Sequence, residues 1–274
     1  MKNSAQYALK VKKLLSGLKR PAIPLAADSL GLLVQSVLAE DATPEELASA
    51  VAAVQEEFVD HNELRVSLPR DVCDILGRDF PGARVKAEAI ARALNAVFDR
   101  ANALCLDFLA KKPKREIRKL LREELGLSPF AESVLTLYYF QGHAIPVDQL
   151  LLEALKLEQV IDPGSDIDDC QGFLERIVPA KDAVAVHEQL RCFAAQQAPK
   201  VRQVLARRHA ELEAKLRAKA EAEARAKAEA EAKAAAAAEA AAAKVAAKKA
   251  AAKRAAAKLK AKVGAARAAA RKKK

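Results

Sequence analysis

The chain has 274 residues, 30% of them charged and only 4% aromatic, with a formal net charge of +11 and a pI near 9.5. Lys10, Lys12, Lys13 and Lys19 interrupt every apolar run in the first 20 residues, so no secretory signal is read there. No stretch is long and apolar enough to cross a bilayer. A soluble protein of a reducing compartment is expected, with no membrane partner.

In chain order, Tyr7, Val11, Leu14, Leu15 and Leu18 recur at helical spacing and predict a first helix. Thr43-Pro44-Glu45-Glu46 supplies a cap, a proline at the first helical position and a capping glutamate, and so predicts a second helix start. Ile90, Leu94, Val97, Phe98, Ala101, Leu104 and Phe108 carry the 3.6-residue period on and predict a long helix through Phe108. A further helix is expected from Lys114 to about Leu125. Gly126 ends it in a left-handed conformation. Ser128 then caps the following helix, with Pro129 at its first position. This tight turn aims backbone N–H groups and a positive helix end at one spot, which suits a phosphate. The next helix runs from Val147 to Leu157, and another from Lys181 to Gln197 stops before Pro199. No period-2 run lies between turn signals, so the fold class is all-α.

The four cysteines, Cys73, Cys105, Cys170 and Cys192, lie 32, 65 and 22 residues apart. No pair has the short spacing of a zinc or iron–sulfur site, so no metal and no other cofactor is expected. Cys73 and Cys105 sit in apolar helical patterns and are expected to be buried thiols.

Charge divides the chain more sharply than any motif. Residues 200–274 hold 23 of the 47 basic residues and 7 of the 36 acids, a net +16, whereas residues 1–199 are net −5. From Lys200 to Glu239, Glu211–Lys215, Glu213–Arg217, Glu221–Arg225, Glu223–Lys227 and Glu229–Lys233 form i,i+4 pairs worth about 0.2–0.5 kcal/mol each. A long exposed helix follows from them, with Val201, Leu205, Leu212 and Leu216 available to dock its start. After Glu239 there are no acids. Thirteen cations remain among alanines: Lys244, Lys248, Lys249, Lys253, Arg254, Lys258, Lys260, Lys262, Arg267, Arg271, Lys272, Lys273 and Lys274. They can neutralise phosphates without reading sequence, and no aromatic is present among them to stack on a base. The composition resembles the tails of linker histones and some bacterial nucleoid proteins. Double-stranded DNA is the expected partner, RNA the alternative for the tail, in a cytoplasmic, nucleoid- or chromatin-associated protein. The predicted domains are 1–198, a charged alanine-rich helical spacer over 199–239, and a basic tail over 240–274.

The turn Gly126-Leu127-Ser128-Pro129, the loop Gly142 to Pro146 and the pair Val147-Asp148 resemble the helix-hairpin-helix and Gly/Pro-Asp motif (HhH-GPD) of the endonuclease III superfamily of DNA glycosylases. The block Phe58-Val59-Asp60-His61-Asn62-Glu63-Leu64-Arg65-Val66 resembles the helix of that family whose amide enters DNA near a lesion. The resemblance covers residues 25 to 198. It implies an endonuclease III-like two-lobed helical domain, with the substrate cleft between a central lobe and one built from both ends of the domain. On it, Asp148 is the catalytic carboxylate, Glu57 a weaker second candidate acid, Asn62 the inserted amide, and Gly126 and Ser128 the phosphate-binding turn.

The departures from the family pattern bear on chemistry. Ser128 stands where the hairpin normally has a second glycine, and Phe130 where bifunctional members carry their Schiff-base lysine. The closing cysteine cluster is missing. Asp148 also precedes a helix, so an N-cap role competes with the catalytic one. Three functions stay open on the sequence. The chain is a monofunctional glycosylase of base-excision repair, a DNA-binding module that has lost the chemistry, or a chromatin-like architectural protein.

Overall fold

The computed structural model describes residues 4–19, 28–110 and 112–271, and the side chains among them except at 232, 234–241, 254 and 256–271. The chain forms two compact units, Met1–Leu205 and Ala206–Lys274. No strand occurs among the described residues.

The first unit runs α1 (Ser4–Gly17), α2 (Ser29–Ala39), α3 (Pro44–Glu57), α4 (His61–Val66), α5 (Pro69–Leu76), α6 (Ala83–Ala101), α7 (Lys114–Glu123), α8 (Pro129–Tyr138), α9 (Gln149–Leu157), α10 (Ile167–Ile177) and the start of α11 (Ala183–Arg271). Local chemistry sets several starts. Thr43 accepts from the Glu46 amide while Glu46 returns a bond to the Thr43 amide, the expected capping box of α3. Glu46 also takes Arg202 in a two-pronged pair at 2.7 Å, and that guanidinium holds its carboxyl below the ordinary range. The pair ties α11 to the start of α3.

Two cores fill the unit. The first gathers residues from Leu30 to Leu135, spanning α2 to α8. The second combines Val11 of α1 with residues from Leu137 to Val201. The change occurs within α8, where Leu135 packs in one core and Leu137 in the other. One lobe is therefore central and the other is built from both ends of the domain. Leu137 and Val11 lie 126 residues apart, and only burial of apolar area brings such segments together.

Four expectations need correction. The helix read through Phe108 stops at Ala101, because Asn102 takes a left-handed conformation at φ 49° and caps it. Cys105 therefore lies beyond the helix and is only partly buried, as is Cys73 on α5. The helix expected to stop before Pro199 instead continues through it as α11. The proline ring faces solvent while Ala198 and Val201 beside it are buried, so packing on both sides offsets the lost hydrogen bond. Val201 is fully buried and Leu205 packs on the second core, but Leu212 and Leu216 are exposed.

The second unit is helical from Ala206 to Arg271. Glu213 lies 3.8 Å from Arg217 and Lys219 3.9 Å from Glu223, both exposed i,i+4 pairs.

Candidate functional site

Asp148 is the N-cap of α9 and is 1% exposed. Its Oδ1 accepts from the Leu151 amide at 2.8 Å. Its Oδ2 accepts from the Asp41 amide and from Arg191 Nη1, both at 2.9 Å. The Arg191 side chain is only 4% exposed, so this ion pair is buried. Arg191 Nη2 donates to the Ala42 carbonyl at 2.6 Å, and the guanidinium lies 5.6 Å from the centre of the Phe130 ring. One arginine on α11 thus grips α9, α8 and the loop between α2 and α3.

That loop, Glu40 to Ala42, is held from every side. Asp41 adopts φ 55°, and its Oδ1 accepts from the Leu150 amide at 2.9 Å, returning the bond that its own amide gives Asp148. Burial, then the Asp148 carboxylate, push the Asp41 carboxyl above its ordinary range. Lys86 of α6 reaches the carbonyls of Leu38 and Glu40 at 3.0 and 2.5 Å, a cation against the C-terminal end of α2. Burial pulls its amine down to about 8, against the opposing pull of Asp41 and Glu40.

The hairpin between α7 and α8 takes the predicted form. Gly126 has φ 66°, and Ser128 Oγ accepts from the Ala131 amide at 3.1 Å. A Cβ on Gly126 would lie 3.0 Å from Arg92 Nε, which places a guanidinium beside the turn. The Ser128 hydroxyl donates to Glu40 Oε2 at 2.7 Å, so only its backbone N–H remains for a phosphate. In the following loop, a Cβ on Gly142 would meet Thr136 Cγ2 at 2.6 Å and the Thr136 carbonyl at 3.1 Å. Glycine alone fits that approach.

A cleft of about 520 Å³ opens beside this junction, with Glu40 and Phe130 from the first lobe facing Val147, Gln149, Leu152 and Ser165 from the second. It lies between the two lobes. Burial outweighs the Ser128 hydrogen bond and raises the Glu40 carboxyl above its ordinary 4.5. Asp148, by contrast, is buried behind the cleft wall. Its N-cap reading holds. On its Oδ2 side the carboxylate faces Arg191.

The other predicted residues are scattered. Asn62 stands at the start of α4, outside the cleft lining, and its Oδ1 accepts from Arg65 Nε and Nη2 at 3.2 and 2.9 Å. Arg65 in turn stacks 4.2 Å from the Phe98 ring centre. Glu57 is the last residue of α3 and is exposed. His143 donates to the Val178 carbonyl, and His187 is buried with Nδ1 2.8 Å from the Tyr138 hydroxyl. Lys244, Lys248, Lys249 and Lys253 are exposed on α11. The side chains of Arg254, Lys258, Lys260, Lys262, Arg267 and Arg271, and all of Lys272, Lys273 and Lys274, lie outside the described residues. Glu40, Asp41, Lys86 and Arg191 escaped sequence reading. Only Glu40-Asp41 carried any signal there, as an acidic pair between an apolar helix and a capping box.

No protein-family model matches the sequence, and no curated protein matches it at sequence level. Solved structures do. A trapped covalent intermediate of endonuclease III with DNA superposes with a TM-score of 0.53 at 15% identity, covering 70% of this chain and 86% of that one. A non-covalent endonuclease III–DNA complex gives 0.53 at 16%, with 70% and 86% covered. The 3-methyladenine DNA glycosylase MagIII of H. pylori, bound to 1,N6-ethenoadenine, gives 0.51 at 13%, with 72% and 97% covered. The chain carries the HhH-GPD DNA glycosylase fold in a divergent sequence.

Two outcomes follow from this geometry. Removing one member of the buried pair leaves the other charge stranded, so Arg191→Met should cost about 3–5 kcal/mol. Asp148→Asn should also destabilise, and the double substitution should recover much of the loss. Urea unfolding of the four proteins measures this, and an unchanged midpoint for Asp148→Asn would show that the pair does not join the lobes.

The second outcome concerns Glu40. Its carboxyl is raised in the fold, so the native state holds the proton more tightly than the unfolded chain does. Stability should fall as pH rises from about 4.5 through the native value, and Glu40→Gln should lessen that fall. Asp41 contributes in the same sense in both proteins. A stability difference between wild type and Glu40→Gln that does not change with pH would contradict the shift.

Proposed function

We propose that this protein binds duplex DNA through a glycosylase-type domain and a basic tail, with Asp148 serving structure rather than base release. One observation carries the reading. The Asp148 carboxylate holds two amides and a guanidinium and is 1% exposed, so its charge is met within the protein and it is closed to solvent. Phe130, in the lysine position, removes the imine route as well. Support for DNA comes from the shared fold, whose solved examples include complexes with DNA, and from the hairpin at Gly126 with Arg92 beside it. Affinity without sequence readout is assigned to residues 240–274, which also suits association with a nucleoid or chromatin.

A second reading is a monofunctional glycosylase that uses the acid in the cleft. It is favoured by Glu40, which lines the cleft with a raised carboxyl.

A panel of lesion-bearing duplexes separates the two. Base release should stay at the level of the protein-free control, and borohydride should trap no adduct. Release that is lost in Asp148→Asn protein shown to be folded at the assay temperature would overturn the proposal. Release that survives Asp148→Asn but not Glu40→Gln would establish the second reading.

The tail is tested apart from chemistry. Deleting residues 240–274 should lower duplex affinity at moderate salt at least about tenfold and flatten its salt dependence. The same titration on single-stranded RNA distinguishes the alternative partner. An unchanged salt slope on duplex DNA would remove the tail from DNA binding.

A further inference from the structure

A second hollow, of about 420 Å³, lies within the first lobe between α2, α3 and the start of α4. It shares no lining residue with the cleft beside Asp148. Val34, Leu38, Val54 and Leu64 line it and are nearly closed to solvent, whereas Phe58 is half-buried and Val59 is 93% exposed. Gly31 gives the wall backbone alone, inside a helix where alanine would be the more stable residue. A hollow of this size, largely apolar with a few polar groups, has the form of a small-molecule site.

Charge decides what enters it. Asp28 and Asp60 both line the hollow and are exposed, and no lysine or arginine lines it among the described residues. Asp28 Oδ1 accepts from the Gly31 amide, and Asp60 Oδ1 from the amides of Asn62 and Glu63. The second oxygen of each carboxylate has no hydrogen-bond partner among the described residues. The segment from Glu56 to Glu63 holds Glu56, Glu57, Asp60 and Glu63 without a lysine or arginine. A field of this sign repels phosphates and nucleic acid and draws a cation, while the lining beneath it takes an apolar body.

We infer that this hollow binds a small organic cation, its apolar body against Val34, Leu38 and Val54 and its ammonium or amidinium group at Asp28 and Asp60. The volume exceeds what a single lysine or arginine side chain fills, which favours a free molecule over a basic peptide. The inference does not rest on the DNA-binding reading.

The test titrates full-length protein with 1-naphthylmethylamine, followed by its own fluorescence because the chain has no tryptophan. A parallel titration uses 1-naphthylmethanol, which keeps the rings and lacks the charge. Saturable one-to-one binding of the amine is expected, about fivefold tighter than that of the alcohol, because carboxylates at an exposed mouth add a modest attraction. Asp60→Asn removes a charge and keeps an oxygen to cap α4, and Gln55→Lys sets a cation at an exposed lining position. Each should weaken the amine about threefold and leave the alcohol unchanged. Val51→Phe, which fills the hollow from α3, should weaken both ligands. The amide resonances of Gly31, Gln55 and Val59 should shift on binding. Equal affinity for amine and alcohol, unchanged binding in all three variants, or shifts confined to other residues overturns the inference. So does binding of the peptide Ala-Lys-Ala where the amine does not bind, which would give the surface to a protein partner.

Discussion

The buried pair between Asp148 and Arg191 is the constraint on which the rest of the domain depends. Taking two charges out of water costs several kcal/mol each unless every lone pair and proton finds a partner. Here they nearly all do. Asp148 satisfies α9 and the Asp41 amide, and Arg191 satisfies Ala42 as well as Asp148. The partners come from the loop after α2, the start of α9 and the body of α11, which belong to both cores. Neither lobe can move away from the other without exposing an unpaired charge.

Features set within one turn of chain were legible in the sequence. Thr43 with Glu46, Gly126, Ser128 with Pro129, and the N-cap place of Asp148 follow from residues three or four positions apart. The two-lobed layout came through the motif resemblance, and its apolar pattern was consistent with it. What escaped was long-range. Arg191 lies 43 residues from Asp148, and Ser128 lies 88 from Glu40. Neither pairing has a local signature, because a surface arginine and a buried one read alike. Helix ends failed for a related reason. Asn102 stops α6 inside an unbroken apolar period, and α11 passes through Pro199 because tertiary packing outweighs a local breaker.

Charge is apportioned unevenly between the parts of the chain. The domain region is net negative, and its junction concentrates Glu40, Asp41 and Asp148 near a cleft rimmed by Asp166 and Asp168. Such a surface gains little from a polyanion by long-range attraction. The tail carries the positive excess, yet its lysines and alanines have no means of distinguishing one base from another. On the proposed function, attraction and recognition are carried by different parts of the chain.

Phe130 and Arg191 act as one unit. The ring is 2% exposed and the guanidinium lies over it, so the aromatic face helps to hold a cation in a nearly dry space. A lysine at that position would bring a second positive charge against Arg191, in a site whose carboxylate is already paired. Its amine would be driven toward neutrality or out of the core. Removing the arginine instead would strand Asp148 and untie the lobes. The charges of this junction are therefore fixed by the stability of the domain.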